Sequence, residues 1–273
     1  MFKGEFRFDL KTALGLRGWG GTEYGTAYCL TNEPIEDWLT LTPTKNRRIL
    51  SVAASGDQPL LYRASGATHV DTFDLTINAC AIMDFKTTAS QLLNYTEYLM
   101  AVLSLKSGCK IPQNIFNMVV DSMPERTREL MHNLGTYRKD AFMRDRYCNN
   151  SFPKTDEIYK QIHQTSTTPF NFIWADLGHL SGYLDGKYDI MYLSNIFEHY
   201  LGFGRAPMDI RITIQSLWPY LNVGGYIVCT SSGVVKKTIF DKFIDAWQNM
   251  GAKLSYPQYD HPTWQPIVIQ KTR

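Results

Sequence analysis

The stretch Arg48-Ile-Leu-Ser-Val-Ala-Ala-Ser-Gly-Asp57 decides the fold. Up to Ala54 it is a largely apolar, β-rich run without strict alternation, the pattern of a strand buried on both faces of a parallel sheet. Three further segments share this form, and each ends in small or acidic residues: His69-Val-Asp-Thr-Phe-Asp74, Phe170-Asn-Phe-Ile-Trp-Ala-Asp176 and Tyr188-Asp-Ile-Met-Tyr-Leu-Ser194. A fifth, Gly225-Tyr-Ile-Val-Cys-Thr230, follows the turn Asn222-Val-Gly-Gly225, and a helix is expected from about Val234 to Met250. The end, from Lys253 through Pro257 and then Trp264-Gln-Pro-Ile-Val-Ile-Gln270, gives two more strands. Pro266 has no N–H for a ladder and so places the last of them at an edge.

After the second strand, Ala81, Phe85, Ala89, Leu92, Leu99 and Leu103 recur at spacings of three or four, or twice that, which predicts a helical stripe facing the core. Residues 106–168 then insert helices around Met123–Asn133, Tyr137–Tyr147 and Asp156–Gln164, expected to cap one end of the sheet. The expected fold is therefore α/β: a doubly wound, mostly parallel Rossmann-like sheet of about seven strands with a helical cap insertion. It forms one domain over 1–273, with an N-terminal segment at 1–45.

With 273 residues, 44% hydrophobic, the chain can bury a full core, which excludes general disorder. A net charge of +2 is too mild for a nucleic-acid or anionic-membrane footprint. Cys29, Cys80, Cys109, Cys148 and Cys229 are scattered without a CxxC pair, so neither a disulfide framework nor a zinc site is suggested, and a reducing, cytoplasmic setting is expected. Lys3, Glu5, Arg7 and Asp9 interrupt the apolar N-terminus, and no later stretch approaches about 18 uncharged apolar residues. The chain is expected to be soluble, at most touching a membrane peripherally, and its sequence names no oligomeric state.

Ligands of open parallel sheets bind beyond the carboxyl ends of the strands, so the strand ends carry the functional reading. In Ala53-Ala-Ser-Gly-Asp57, small residues let a ligand approach the backbone and Gly56 can adopt positive φ. The absence of a P-loop Lys-Ser/Thr pair and of GxGxxG argues against a triphosphate or dinucleotide and leaves a nucleoside carrying an amino acid. Asp74, about 20 residues on, can accept from a ribose diol. It can equally cap the helix starting near Ile77, and Asp71 competes for the ribose role. Asp176 suits either the exocyclic amine of adenine or another helix cap. The fourth strand ends at Ser194-Asn195, followed by Glu198, His199 and Tyr200, a polar cluster suited to catalysis. Glu198 or His199 is a candidate general base, though either alone can also point to solvent. No other His or carboxylate has metal-ligand spacing, so no metal is expected.

The insertion carries Arg126, Arg128, Arg138, Lys139, Arg144 and Arg146 among Tyr137, Phe142 and Tyr147, which suits an anionic or nucleotide acceptor. Glu125, Glu129, Asp140 and Asp145 offset most of that charge and favour an exposed, ion-paired helical face.

The order of these features resembles class I S-adenosylmethionine-dependent transferases, and more closely the betaine-lipid synthases that transfer the 3-amino-3-carboxypropyl group. The resemblance lies in Ile49-Leu-Ser-Val-Ala-Ala-Ser-Gly-Asp-Gln-Pro-Leu60, Gly66-Ala-Thr-His-Val-Asp-Thr-Phe-Asp-Leu75 and Lys187-Tyr-Asp-Ile-Met-Tyr-Leu-Ser-Asn-Ile196. That family has a serine-glycine-aspartate turn in place of the glycine-rich methyltransferase signature, and a serine-asparagine pair after the fourth strand. Its upstream segment, expected to line the cofactor's amino-acid end, resembles Tyr24-Gly25 and Asn32-Glu33-Pro34. The resemblance implies S-adenosylmethionine as cofactor, with Gly56 and Asp57 beside its methionine moiety, Asp74 on the ribose, Asp176 near adenine, and Ser194 and Asn195 facing the sulfonium. Tyr24, Ala54, Ser55, Leu75 and Leu177 complete the expected cofactor contacts, and Tyr24 or Tyr200 can stabilise the cation. The implied activity is aminocarboxypropyl transfer to a hydroxyl or amine of a small-molecule or lipid acceptor, releasing methylthioadenosine. Methyl transfer and cofactor binding without turnover are the alternatives.

Overall fold

The structure is a computed structural model that describes residues 5–8, 27–28, 30–31, 33–107, 111–137, 142–143, 152–198, 207–231, 240–258 and 264–273. Eight strands form the main sheet: β1 (Phe6–Phe8), β3 (Arg48–Val52), β4 (His69–Asp74), β6 (Asn171–Trp174), β7 (Tyr188–Ser194), β8 (Leu221–Ser231), β9 (Ala252–Ser255) and β10 (Gln265–Lys271). Their order is β1-β6-β4-β3-β7-β8-β10-β9. Every neighbouring pair from β1 to β8 is parallel, while β10 runs antiparallel to both β8 and β9. A separate parallel pair joins β2 (Ala27–Tyr28) to β5 (Phe142–Met143). The fold is the expected doubly wound, mostly parallel α/β sheet. The chain lays down β3, β4 and β6 in one direction and then crosses to β7 on the other side of β3, so the switch point lies between β3 and β7.

Burial explains why these segments are strands. Ile49, Leu50, Phe172, Ile190, Met191 and Tyr192 are all at or below 1% exposure, which only a two-sided cover of helices provides. The strand beyond the expected seven is β1, whose Phe6, Arg7 and Phe8 stand opposite Phe172, Ile173 and Trp174. Its apolar–polar–apolar alternation is an edge-strand signal. Pro266 does not mark an edge: β10 lies between β8 and β9. The proline is tolerated because β9 pairs only with Val268–Lys271, so Pro266 faces a neighbour, Thr230, on one side alone.

The long helical stripe is two helices, α3 (Ile77–Leu92) and α4 (Tyr95–Ser107). Thr76 starts α3 by accepting from the Asn78 N–H at 3.3 Å, and the extended backbone of Leu93 stops it. Ala81, Phe85 and Ala89 are buried as expected, but Leu92 and Leu103 are more than one-third exposed. The break resets the phase, so in α4 it is Tyr98, Ala101 and Val102 that face inward.

Before β3 comes the short α1 (Ile35–Trp38), and after it α2 (Asp57–Ala64). The insertion supplies α5 (Gln113–Asp121), α6 (Glu125–Tyr137) and α7 (Asp156–Thr165). Helices α5 and α6 pack on α3, and α7 packs on α2 and α3. The helix expected over Tyr137–Tyr147 is broken at Phe142–Met143, which is extended; residues 138–141 and 144–147 lie outside the described residues. Helices α8 (Pro207–Leu217) and α9 (Ile244–Asn249) precede β8 and β9. Of the helix expected from Val234, residues 234–239 lie outside the described ones. Cys80 and Cys229 are buried free thiols. Among the described residues no helix is long and apolar enough to cross a membrane, and no three His, Cys, Asp or Glu side chains form a metal-binding group.

Candidate functional site

Strand register brings the predicted strand ends to one edge of the sheet. Val52 stands beside Phe73, Ser51 beside Tyr192, and Asp74 beside Trp174. The residues that follow β3, β4, β6 and β7, and with them Gly56, Asp74, Asp176 and Ser194, therefore leave the sheet on the same side.

The β3 turn is bent by two left-handed residues, Ala54 at φ 45° and Gly56 at φ 79°. At Gly56 two demands coincide. The conformation favours glycine, and an added Cβ would sit 2.9 Å from the Cα of Met83 on α3. The glycine is thus required by the close passage of α3 behind the turn.

Asp57 points into the protein. Its carboxylate accepts from the Lys86 ammonium at 2.5 Å, from the Ser55 hydroxyl at 2.9 Å and from the Thr31 N–H at 2.8 Å. Both charged side chains of this pair are wholly buried. The pair joins the turn, the N-terminal segment and α3. Lys86 was not among the expected site residues. Its signal is local: in the 16-residue α3 only Asp84 and Lys86 carry charge. Asp84 has a different partner, Arg126, whose guanidinium meets it at 2.8 and 2.9 Å and also donates to the Phe170 carbonyl. Arg126 is thus ion-paired but turned inward, not on an exposed face. Arg128 donates to the Met123 carbonyl, and Arg138, Lys139, Arg144 and Arg146 lie outside the described residues.

Asp74 ties adjacent strand ends together, accepting from the Ala54 N–H at 2.9 Å and the Thr76 N–H at 3.0 Å, with a further backbone bond from Leu75. The helix cap itself is Thr76. Burial pushes the Asp74 carboxyl up to about 6 against the pull of those backbone donors. A carboxylate offers about four lone-pair positions, so three backbone donors leave acceptor capacity for one more partner. The competing Asp71 is fully engaged, by Arg48, His69, Asn171 and Tyr188 at 2.7–3.0 Å; burial pushes its carboxyl up, but the bonds from His69, Asn171 and Tyr188 hold it well below the usual range. Asp176 is buried and accepts from the Gly178 N–H at 2.7 Å, a turn-closing bond. Leu75 gives its carbonyl to the Trp174 indole, and Leu177 lies in the apolar core.

At the end of β7, Ser194 is left-handed at φ 52°, which turns its hydroxyl toward Glu33. The Glu33 carboxylate collects three hydroxyl donors, from Tyr192, Ser194 and, at 3.0 Å, Thr230 of β8. It is 1% exposed, and burial pushes its carboxyl up although the hydroxyls of Ser194, Tyr192 and Thr230 pull it down. Beside it, Gln58 of α2 donates to the Thr31 hydroxyl while its buried Oε1 has no partner among the described residues. Asn195 touches the Ser194 hydroxyl at 3.4 Å, and Glu198 accepts from Ser231 at 2.9 Å. Tyr24, His199 and Tyr200 lie outside the described residues.

A cavity of about 950 Å³ lies elsewhere, beside α3 and the segment that precedes β6. Thr87, Gln91, Met123, Arg126 and Pro169 line it, whereas Gly56, Asp74 and Ser194 do not.

No protein-family model matches the chain, and no curated protein matches it. Solved structures do resemble it in overall path. An rRNA methylase from Streptococcus thermophilus is 11% identical with a TM-score of 0.43, over 89% of this chain and 99% of that one. The N-methyltransferase NodS from Bradyrhizobium japonicum WM9 is 10% identical with a TM-score of 0.45, over 89% of this chain and 100% of that one. Magnesium protoporphyrin IX methyltransferase from Synechocystis PCC 6803, with bound S-adenosylmethionine, is 9% identical with a TM-score of 0.42, over 86% and 76%. Likeness at this level assigns no residue of this chain a role.

Proposed function

We propose that the chain is an S-adenosylmethionine-dependent transferase whose cofactor lies across the carboxyl ends of β4, β3 and β7. The observation that carries this reading is the Ser55-Gly56-Asp57 turn, fixed from behind by α3, tied to Asp74 through the Ala54 N–H and facing the end of β7 across the switch point. The residues suit such a ligand chemically. Asp74 keeps room for a ribose hydroxyl, and the Gln58 Oε1, without a partner among the described residues and beside the hydroxyl-ringed Glu33, forms an acceptor-rich spot suited to a cation.

When bound, S-adenosylmethionine supplies an alkyl carbon activated by its sulfonium. The protein's part is to hold and orient, and positioning provides most of the rate in a single displacement. In this reading Gly56 admits the ligand to the backbone, Asp74 fixes the ribose, and Asp176 stands at the adenine side. Ser194 and Asn195 border the reacting end. Glu198, with His199, is the proposed base for the acceptor's proton. The group moved is the 3-amino-3-carboxypropyl chain in this proposal, because the Ser-Gly-Asp turn and the Ser194-Asn195 pair resemble the enzymes that move it. The acceptor class is a hydroxyl or amine of a small molecule or lipid.

Product analysis after incubation with S-adenosylmethionine and candidate acceptors tests this directly. Methylthioadenosine is the expected nucleoside product; S-adenosylhomocysteine would establish methyl transfer instead, and tight binding without either product would leave a cofactor-binding protein. For the site itself, Asp74→Ala is expected to weaken cofactor binding by about 1–3 kcal/mol, the scale of hydrogen bonds to a charged group. Because the Asp74 carboxyl is raised to about 6, its charged form dominates only above that pH, so wild-type affinity should fall as the pH drops through 6. Calorimetric titrations at pH 5 and pH 8 measure both effects, and affinity indifferent to the substitution removes Asp74 from the ribose.

A further inference from the structure

Three of the buried carboxylates among the described residues have Arg or Lys beside them. Asp57 has Lys86, Asp71 has Arg48, and Asp84 has Arg126. Glu33 differs. At 1% exposure it is among the most enclosed acids in the molecule, yet the hydroxyls of Tyr192, Ser194 and Thr230 and the Trp38 side chain are what meet it, and no salt bridge reaches it from among the described residues. A buried carboxylate met by neutral donors, with no cation beside it among the described residues, carries a desolvation cost that a counter-charge would offset. Its place is also specific. The hydroxyls come from the carboxyl ends of β7 and β8, directly beside the switch point, and the adjoining Gln58 leaves a second acceptor, Oε1, buried without a donor among the described residues. Such a cluster is built to receive positive charge.

Resting on the transferase reading above, we propose that Glu33 is the counter-charge for the cofactor's sulfonium and that it makes the site charge-selective, holding the cationic cofactor and releasing the neutral thioether product. The resemblance that links residues 32–34 to the amino-acid end of the ligand says nothing of charge; the geometry adds it. Alkyl transfer breaks the bond between sulfur and the transferred carbon, and the bonding electrons stay on sulfur. The sulfonium becomes a neutral thioether and the acceptor's proton leaves to solvent or base. The electrostatic attraction toward Glu33 therefore disappears at the step that completes the reaction, so the carboxylate strengthens cofactor binding and gives the product no matching help. This holds whichever carbon is transferred, since both possible nucleoside products carry an uncharged sulfur.

The test compares two ligands that differ in sulfur charge. Dissociation constants of S-adenosylmethionine and S-adenosylhomocysteine are measured by calorimetry for the wild-type chain and for Glu33→Gln, which keeps shape and removes the charge. The wild type is expected to prefer the sulfonium by about 10- to 100-fold, the scale of one charge pair of this kind. In Glu33→Gln the ratio should approach unity, through loss of S-adenosylmethionine affinity with that for S-adenosylhomocysteine nearly unchanged. A ratio that survives the substitution overturns the proposal, as does a wild type that binds both ligands equally. An analogue bearing an ammonium on carbon in place of the sulfonium provides a check on the wild type alone: it should bind like the cofactor, and binding as weak as the thioether's counts against Glu33 even if Glu33→Gln fails to fold. Absence of binding by either nucleoside would sink the transferase reading itself, an outcome distinct from equal binding.

Discussion

Lys86→Met is expected to destabilise the protein by about 3–5 kcal/mol, the usual cost of breaking a buried ion pair and leaving one charge unpaired. The substitution keeps most of the apolar stem but removes the ammonium that lies 2.5 Å from Asp57. Ser55 and Thr31 still donate to the carboxylate, yet hydrogen bonds alone do not neutralise a charge at 0% exposure. The double variant Lys86→Met with Asp57→Asn should recover a large part of the loss, because it removes the stranded charge along with its partner. Urea denaturation of the single and double variants measures this. A single-variant loss under about 1 kcal/mol would show that Asp57 is relieved some other way. Since Asp57 also ties the N-terminal segment to the β3 turn, any Lys86→Met protein that folds should bind the cofactor more weakly.

Gly56→Ala is expected to cost about 2–5 kcal/mol, from two sources that act together. An L-residue in the left-handed region costs about 1–2 kcal/mol, and forcing a methyl against a packed helix adds about 1–3. The helix cannot yield by rotating a side chain, because the contact at 2.9 Å is with the backbone Cα of Met83. Gly66→Ala is the natural comparison. Gly66 has a similar φ of 88°, but its added Cβ would meet nothing nearer than the Lys45 side chain, at 3.4 Å, an ordinary contact. The difference between the two variants in denaturation midpoint therefore isolates the clash with α3. Equal losses at both sites would show that φ alone decides and that α3 has room to move.

Much of the fold was legible because its signals are local. The apolar runs ending in Ala53, Asp74, Asp176 and Ser194 name their strands without reference to anything distant, and a sheet covered on both faces leaves such runs little alternative. The glycine at position 56 could likewise be read as a turn with positive φ. What the sequence misled on were features that depend on neighbours. Pro266 looks like an edge residue, and only the shortness of β9 reveals how a central strand accommodates it. The stripe through Leu92 and Leu103 keeps helical spacing on paper, but Leu92 ends its helix exposed, and the extended Leu93 after it rephases the next helix so that Leu103 faces outward. Strand β1 was missed because three residues are too few for periodicity to register; β6 supplies the ladder that makes them a strand.

The candidate site divides in the same way. The sequence by itself determined which residue types stand at the strand ends, since chain order and strand length fix where each strand stops. Only the tertiary structure decided what those residues do to one another. Asp71 and Asp74 are three residues apart and chemically identical, yet Arg48, His69, Asn171 and Tyr188 occupy the first, while backbone donors hold the second with acceptor capacity to spare. Lys86 and Asp84 share one helix and pair with different elements, 29 and 42 residues away. Glu33 gains its setting from β7 and β8, about 160 and 197 residues further along the chain. Charge and hydrogen bonding act over a few ångströms of space whatever the separation in sequence, so the state of a buried acid is settled by which segments the fold brings beside it.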